Sequence, residues 1–285
     1  MPDTVTIGLI SDTHIPMRWD VLPPAIFDIF AGADLIIHAG DIGELWVLDE
    51  LSRIAPVIAV HGNDEGEQAQ AVLPFQHTLM AAGHRIVVTH GHYPDLKLEM
   101  ERRNDDRWPP KLARLADFAR RSDASILISG HTHIPLALDD DGVLVVNPGA
   151  VASGGATARQ VVQSVALLRL ASDVAPVVEH VDINTGQRFT PQLDVQAGFK
   201  AALRGYTESI LEPELEAQMP WIRDELLPDY REPLLALFVP LLRPRWKGGL
   251  PVLTTAEVMT AAKNDGLPQA FLDKLRESEV FAKYL

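Results

Sequence analysis

Five short apolar runs in the first half of the chain each end in a polar fragment made of Asp, His, Asn and Gly. No other feature constrains the fold as tightly. The runs are residues 5–10, 35–37, 57–60, 85–88 and 125–128. The fragments that follow are Asp12-Thr13-His14, Gly40-Asp41, Gly62-Asn63, His90-Gly91-His92 and Gly130-His131-Thr132-His133. Apolar runs of this length read as buried strands. The polar residues therefore fall where strands give way to loops, the edge at which open α/β sheets assemble their sites.

Helical patterns separate the runs, at residues 24–30, 44–53, 96–103 and 111–121, with a break at Trp108-Pro109-Pro110. Residues 75–80 and 84–89 flank Ala81-Ala82-Gly83 as a hairpin. Residues 143–146, 163–170 and 177–183 add strands, the last two joined by a turn at Ser172-Asp173. Alternating elements predict an α/β domain over residues 1–184, a mixed sheet with helices on both faces. After about residue 185 the strand patterns stop. Residues 195–211, 213–226, 233–242, 255–263 and 269–284 read as helices broken by Pro and Gly. Thr254 or Thr255 is expected to cap the fourth, with Glu257 in its first turn. Residues 185–285 are thus expected to form a helical C-terminal appendage packed on the sheet domain. A lid over the site, or a homo-oligomer contact made by these helices, is the alternative.

Charge and composition remove several functions. A net charge of −14 over 285 residues disfavours binding to extended DNA or RNA, which needs a basic surface. A small phosphorylated substrate stays open if metal ions neutralise it locally. The chain has no cysteine. Disulfides and thiolate metal sites are excluded, and a reducing, cytoplasmic setting is expected. Residues 1–4 carry no basic segment, so no signal peptide is expected. No apolar run approaches the ~20 residues of a membrane helix.

The fragments offer Asp12, His14, Asp41, Asn63, His90, His131 and His133, the carboxylate, imidazole and amide ligands that hard or borderline divalent cations take. Seven ligands exceed what one ion with an open position would use. Two ions sharing one carboxylate is the economical reading, and pairs about 3.5–4 Å apart are common in phosphoester hydrolysis. In an extended segment residues i and i+2 share a face, so Asp12 with His14, and His131 with His133, are placed to bind together.

This ordered set resembles the calcineurin-like metallophosphoesterases. The tight spacing, the His90-Gly91-His92 fragment and Asn147-Pro148-Gly149-Ala150 resemble their small bacterial and archaeal phosphodiesterase branch. The resemblance covers about residues 5–183. It implies a β-sandwich of two mixed sheets flanked by helices. It implies that Asp12, His14, Asp41 and His133 hold one divalent ion and Asp41, Asn63, His90 and His131 the other, with Asp41 bridging. Mn²⁺ is favoured, with Fe, Zn, Ni, Co or Mg as alternatives. The implied reaction is in-line attack on a small phosphodiester by a metal-bridging hydroxide. One position departs from the wider superfamily. Many relatives read Gly-Asn-His-Asp or Gly-Asn-His-Glu, whereas this chain reads Gly62-Asn63-Asp64-Glu65. Asp64 stands where a histidine contacts phosphate or assists the leaving group, so no general acid is evident. Asp64 and His92 join Asp41 as candidate catalytic residues.

The other polar residues have plainer expectations. His38 and His61 are expected to orient or pack beside the ligands. His77, His84 and His180 read as ordinary surface or sheet residues. Arg243, Arg245 and Lys247 around Trp246 read as a solvated loop, with a substrate or subunit contact as the alternative. Arg102-Arg103 and Arg120-Arg121 read as helix-surface charge, and residues 152–157 as a loop without the Gly-Lys pattern of a phosphate cradle. Competing functions are a phosphomonoesterase, nucleotidase or nuclease with the same site, a non-catalytic scaffold that binds partner proteins, and a dinuclear zinc amide hydrolase.

Overall fold

Strand periodicity sorts the apolar side chains onto two faces. In β1 (Thr4–Ile10), Val5, Ile7 and Leu9 point into one buried cluster and Ile10 into another. This computed structural model describes residues 4–103, 105–264 and 266–284. Residues 1–3, part of the segment expected to lack a leader, lie outside the described residues, as does the side chain of Arg103. The chain divides into two compact units. The first is Met1–Gly154 with Gln160–Thr207, and the second is Gly155–Arg159 with Glu208–Leu285.

The strands of the first unit after β1 are β2 (Leu35–His38), β3 (Val57–Ala59), β4 (Gln76–Ala81), β5 (His84–Thr89), β6 (Ile126–Ile128), β7 (Leu136–Asp140) and β8 (Val143–Asn147). A short strand β9 (Ala158–Gln160) precedes β10 (Ser164–Ala171), β11 (Val174–Asp182) and β12 (Arg188–Phe189). One six-stranded sheet runs in the order β12-β11-β10-β1-β2-β3, and a five-stranded sheet runs β4-β5-β6-β8-β7. β1, β2 and β3 are mutually parallel, as are β5, β6 and β8, while the flanking strands are antiparallel. Alternate residues of both sheets fill the shared core: Val5, Ile7 and Leu9 with Ala166 and Leu168 from one, Ile86, Val88, Ile126 and Ile128 from the other. The intervening residues pack outward. Val87, Leu127 and Val145 meet Leu112, Leu115 and Ala119 of a helix. Ile36 and Val165 meet Ile26, Val47 and Leu51. This is the two-sheet sandwich flanked by helices that the resemblance implies.

The helices of this unit are α1 (Ala25–Ile29), α2 (Trp46–Ser52), α3 (Glu67–Val72), α4 (Leu96–Arg103), α5 (Trp108–Arg120) and α6 (Phe199–Arg204). Pro109 and Pro110 were expected to precede α5. They lie in its first turn, where their missing N–H groups cost nothing. Strand structure also persists past residue 185, because β12 pairs with β11. Phe199 packs on the fully buried Trp108 at 5.3 Å, and its N–H donates to Asp106 O at 2.7 Å. The first unit therefore runs to Thr207.

The second unit is mainly helical around Leu215, Ile222, Leu237, Phe238, Val258, Phe271 and Phe281. A strand β13 (Thr207–Ser209) pairs with β9, so the helix expected at 195–211 ends at Arg204. The helices are α7 (Pro213–Glu216), α8 (Met219–Trp221), a π-turn at Ile222–Leu226, α9 (Leu227–Trp246), α10 (Thr255–Asn264), α11 (Gln269–Leu275) and α12 (Glu279–Ala282). Pro233 kinks α9 rather than ending it, through a non-helical Tyr230. Thr254 is the cap of α10. Its hydroxyl accepts from Glu257 N at 3.2 Å and Glu257 accepts from Thr254 N at 2.9 Å, a reciprocal capping box. The expected solvated loop at Arg243, Arg245 and Lys247 is instead the end of α9. Arg245 is only 2% exposed and donates to Leu241 O, Pro251 O and Glu257, so it ties the chain after α9 to α10.

Candidate metal centre

Each fragment sits just past the C-terminal end of a parallel strand: Asp12 after β1, Asp41 after β2, Asn63 after β3, His90 after β5 and His131 after β6. The backbone turns sharply there. Asp12, His14, Asp41, His131 and His133 all have left-handed φ values, from +45° to +68°. Such conformations cost on the order of 1–3 kcal/mol each in a residue with a Cβ and collect at functional sites. The adjoining glycines permit close approach. A Cβ on Gly130 would lie 2.7 Å from Asp12 Oδ2, and one on Gly62 would collide with Asp41 Oδ1.

Two carboxylates organise the cluster. Asp12 is fully buried, with His133 Nε2 3.0 Å from its Oδ1, and its oxygens accept the His131 N–H at 3.1–3.2 Å. Burial opposes its ionisation, but the His133 imidazole and then His90 outweigh this and hold it at about 2. Asp41 Oδ2 lies 3.6 Å from His14 Nε2 and 3.3 Å from His90 Nε2, while Oδ1 accepts from Asp64 N at 3.0 Å. Burial again opposes ionisation, yet His90 and His14 keep Asp41 well below the usual carboxylate range. His90 Nδ1 is 2.8 Å from Ala39 O, which directs Nε2 toward Asp41. Burial disfavours charge on His90, but Asp41 and Asp12 overcome it and raise the imidazole to about 10. His14 is driven the other way, to about 3, by burial with help from His133 and Arg18.

Three groups of side chains bring a ligand atom each within 4.8 Å: Asp12, His14 and His133; Asp12, Asp41 and His90; and His14, Asp41 and Asp64. His14 Nε2 and His90 Nε2 are buried without a hydrogen-bond partner, and both face Asp41. Buried imidazole nitrogens without a partner beside carboxylates fit a divalent cation, which would satisfy both.

The remaining expected residues stand nearby with other partners. The Asn63 side chain is exposed and donates to Asp64 Oδ1 at 2.9 Å. His131 Nε2 is 3.0 Å from Glu99 Oε1, and its ring lies edge-on to His90 at 5.1 Å. His92 is 5.5 Å from the His90 ring and 5.1 Å from Phe75, and burial followed by His90 lowers it to about 4. Asp64, 38% exposed, is 3.3 Å from His14 Nδ1, and burial and then Asp41 raise its pKa. His38 and His61 hold the positions expected of them. Thr13 donates its hydroxyl proton to Ile42 O, so His38 Nε2 is the donor to Thr13 Oγ1 at 3.0 Å, and His61 packs on Phe75 and His92.

Three residues were missed in the sequence. Glu65, 4% exposed, accepts the N–H groups of Ile42 and Gly62 and so ties the Asp41 loop to the Asn63 loop. Its place in Gly62-Asn63-Asp64-Glu65 was the available signal. Glu99, inside α4, also accepts Tyr93 N at 2.9 Å, and nothing in its helical setting marks it. Arg18, 13% exposed, reaches Asp64 Oδ2 at 3.6 Å and donates to Ser153 O. It lies one helical turn after His14, a spacing too common to signal.

The calcineurin-like phosphoesterase superfamily domain matches residues 5–173. The chain belongs to that superfamily. A probable metallophosphoesterase of Methanocaldococcus jannaschii is 38% identical over 149 residues, which cover 52% of this chain and 68% of the relative. A phosphodiesterase of the same organism is 29% identical over 159 residues, 50% of this chain and 82% of the relative. A single mutant of Vps29 from Entamoeba histolytica superposes with a TM-score of 0.51 at 22% identity, over 65% of this chain and 96% of that one, and shares the fold. These matches concern the sandwich. Among the described residues no helix is long and apolar enough to cross a membrane.

Proposed function

We propose that this metallophosphoesterase is a binuclear enzyme that hydrolyses a small phosphodiester, with its chemistry in the first compact unit and its home in the cytoplasm. The observation that carries the reading is the pair of buried imidazole nitrogens, His14 Nε2 and His90 Nε2, that converge on Asp41 Oδ2 at 3.6 and 3.3 Å. Asp12, His14 and His133 would hold one ion and His90 the other, with Asp41 shared between them. Asn63 and His131 would complete the second position by turning from Asp64 and Glu99. Divalent ions, Mn²⁺ first among them, supply water activation near neutral pH and neutralise phosphoryl oxygens when bound. The chain's own part is positioning. Ala39 O orients His90, Glu65 fixes the Asp41 and Asn63 loops against each other, and the strained strand ends hold both carboxylates in place.

Preference for a diester rests on Asp64. A histidine there would be a proton donor for a poor leaving group, help worth about 10²–10⁴-fold. Asp64 also adds negative charge 3.3 Å from His14, which disfavours a dianionic monoester, although Arg18 offsets part of that charge. The expected result is two Mn²⁺ per chain and hydrolysis of bis(p-nitrophenyl) phosphate in preference to p-nitrophenyl phosphate. Asp64→His should raise the monoester-to-diester ratio of kcat/KM. A chain that recruits at most one ion would refute the binuclear reading, and an unchanged ratio with metal intact would refute the role of Asp64.

A further inference from the structure

We propose that Arg18 is the phosphate anchor of the site, an inference that rests on the phosphoesterase reading above and names the group that recognises the substrate's phosphoryl oxygens. Arg18 follows the Asp12-Thr13-His14 fragment in a turn closed by Arg18 N–H donating to His14 O at 2.9 Å, so its position is tied to the ligand loop. Its side chain is 13% exposed, an unusual setting for a guanidinium. Nη1 donates to Ser153 O, which fixes the plane of the group. Nη2 is 3.6 Å from Asp64 Oδ2, an ion pair longer than a hydrogen bond, and the same oxygen is 3.3 Å from His14 Nδ1. The cationic edge of Arg18 thus borders the cluster on its Asp64 side. A guanidinium presents parallel N–H donors that match the oxygens of a phosphoryl group, and its charge persists through the working pH range. The chemistry recognised is the anionic phosphoryl group itself, whatever it is esterified to.

The test uses the full chain loaded with Mn²⁺ and inorganic phosphate as the probe. Phosphate is titrated calorimetrically and as a competitive inhibitor of bis(p-nitrophenyl) phosphate hydrolysis, for wild type, Arg18→Gln and Arg18→Lys. Loss of a charge-assisted hydrogen bond predicts phosphate binding about 10- to 100-fold weaker in Arg18→Gln, with Mn²⁺ stoichiometry retained and KM rising more than kcat falls. Arg18→Lys, which keeps the charge and loses the fork, should fall between the two and carries the test if Arg18→Gln does not fold. Phosphate affinity within twofold of wild type in both variants overturns the proposal. So does loss of Mn²⁺ in step with phosphate, which marks a purely structural arginine, and so does a wild type that binds no phosphate. A wild type that binds phosphate through Arg18 but hydrolyses no diester upholds the anchor and overturns the phosphodiesterase reading instead.

Discussion

Asp41 is in ion-pair contact with two histidines and accepts a backbone N–H from the Asn63–Asp64 loop, so its loss should be felt by every part of the cluster. On the proposed binuclear phosphodiesterase reading, Asp41→Ala is expected to leave less than about a tenth of the activity, because both ions would lose a shared ligand. Metal content measured beside turnover checks the cause: retained activity, or lost activity with full Mn²⁺ occupancy, would contradict the shared role. His180 shows what the sequence does not reveal at this scale. It was read as an ordinary surface or sheet residue; it is a sheet residue 1% exposed, with Nε2 2.8 Å from Asn147 O. Burial lowers it to about 4. In the unfolded chain it titrates near 6.5. Its contribution to stability is therefore complete above about pH 6.5 and is lost as pH falls toward 4, since the unfolded state then binds the proton more readily. The cost is roughly 3 kcal/mol at about 1.4 kcal/mol per pH unit. Melting temperatures between pH 7 and 4.5 should fall less steeply in His180→Gln than in wild type; parallel curves would sink this account. Arg245 departs from the expected solvated loop for the same reason, since a basic cluster in the sequence carries no sign of which carbonyls will meet it.

Elements were legible where periodicity was strong. The five apolar runs are strands, and the parallel ones carry the ligand fragments at their C-terminal ends because in such sheets only that edge leaves the loops facing one another across the sandwich. Short elements escaped. β7 reads Leu136–Asp140 with two acidic residues and β12 is only two residues long, so neither offers a period to detect. Helix α3 follows a glycine-rich loop and buries only Ala69. Two substitutions separate the strand-end loops of the first unit from the helices of the second. Gly62→Ala would drive a methyl group into the Asp41 carboxylate, and should reduce Mn²⁺ occupancy and lower activity at least tenfold. Thr254→Ala breaks the capping box of α10 and should cost about 0.5–2 kcal/mol, read by denaturant unfolding, while Mn²⁺ binding stays at the wild-type level. If Thr254→Ala impaired metal binding and Gly62→Ala did not, the assignment of the site to the strand-end loops would fall.

For the whole molecule the decisive balance is charge. The chain carries −14, and Asp12, Asp41, Asp64, Glu65 and Glu99 converge on the cluster. Without an ion, the proton that Asp41 and Asp12 favour on His90, at about 10, and the Arg18 guanidinium beside Asp64 answer part of that charge. A divalent cation would do so more completely, and it finds this ligand set only in the folded chain. Mn²⁺ should therefore stabilise by mass action, by about 2.7 kcal/mol when its free concentration is a hundred times Kd. For a unit of some 200 residues that corresponds to roughly 5–11 °C in Tm. Calorimetric melting in excess EDTA and in graded Mn²⁺ reads the effect, and Asp41→Ala should abolish most of it. The size of the shift should also shrink as pH falls from 8 to 6, because the ion must displace the His90 proton and protons compete more strongly at lower pH. A Tm independent of Mn²⁺ in the wild type, or a shift that grows on acidification, would mean that the buried carboxylates are balanced by protons alone and that the cluster is not a metal centre.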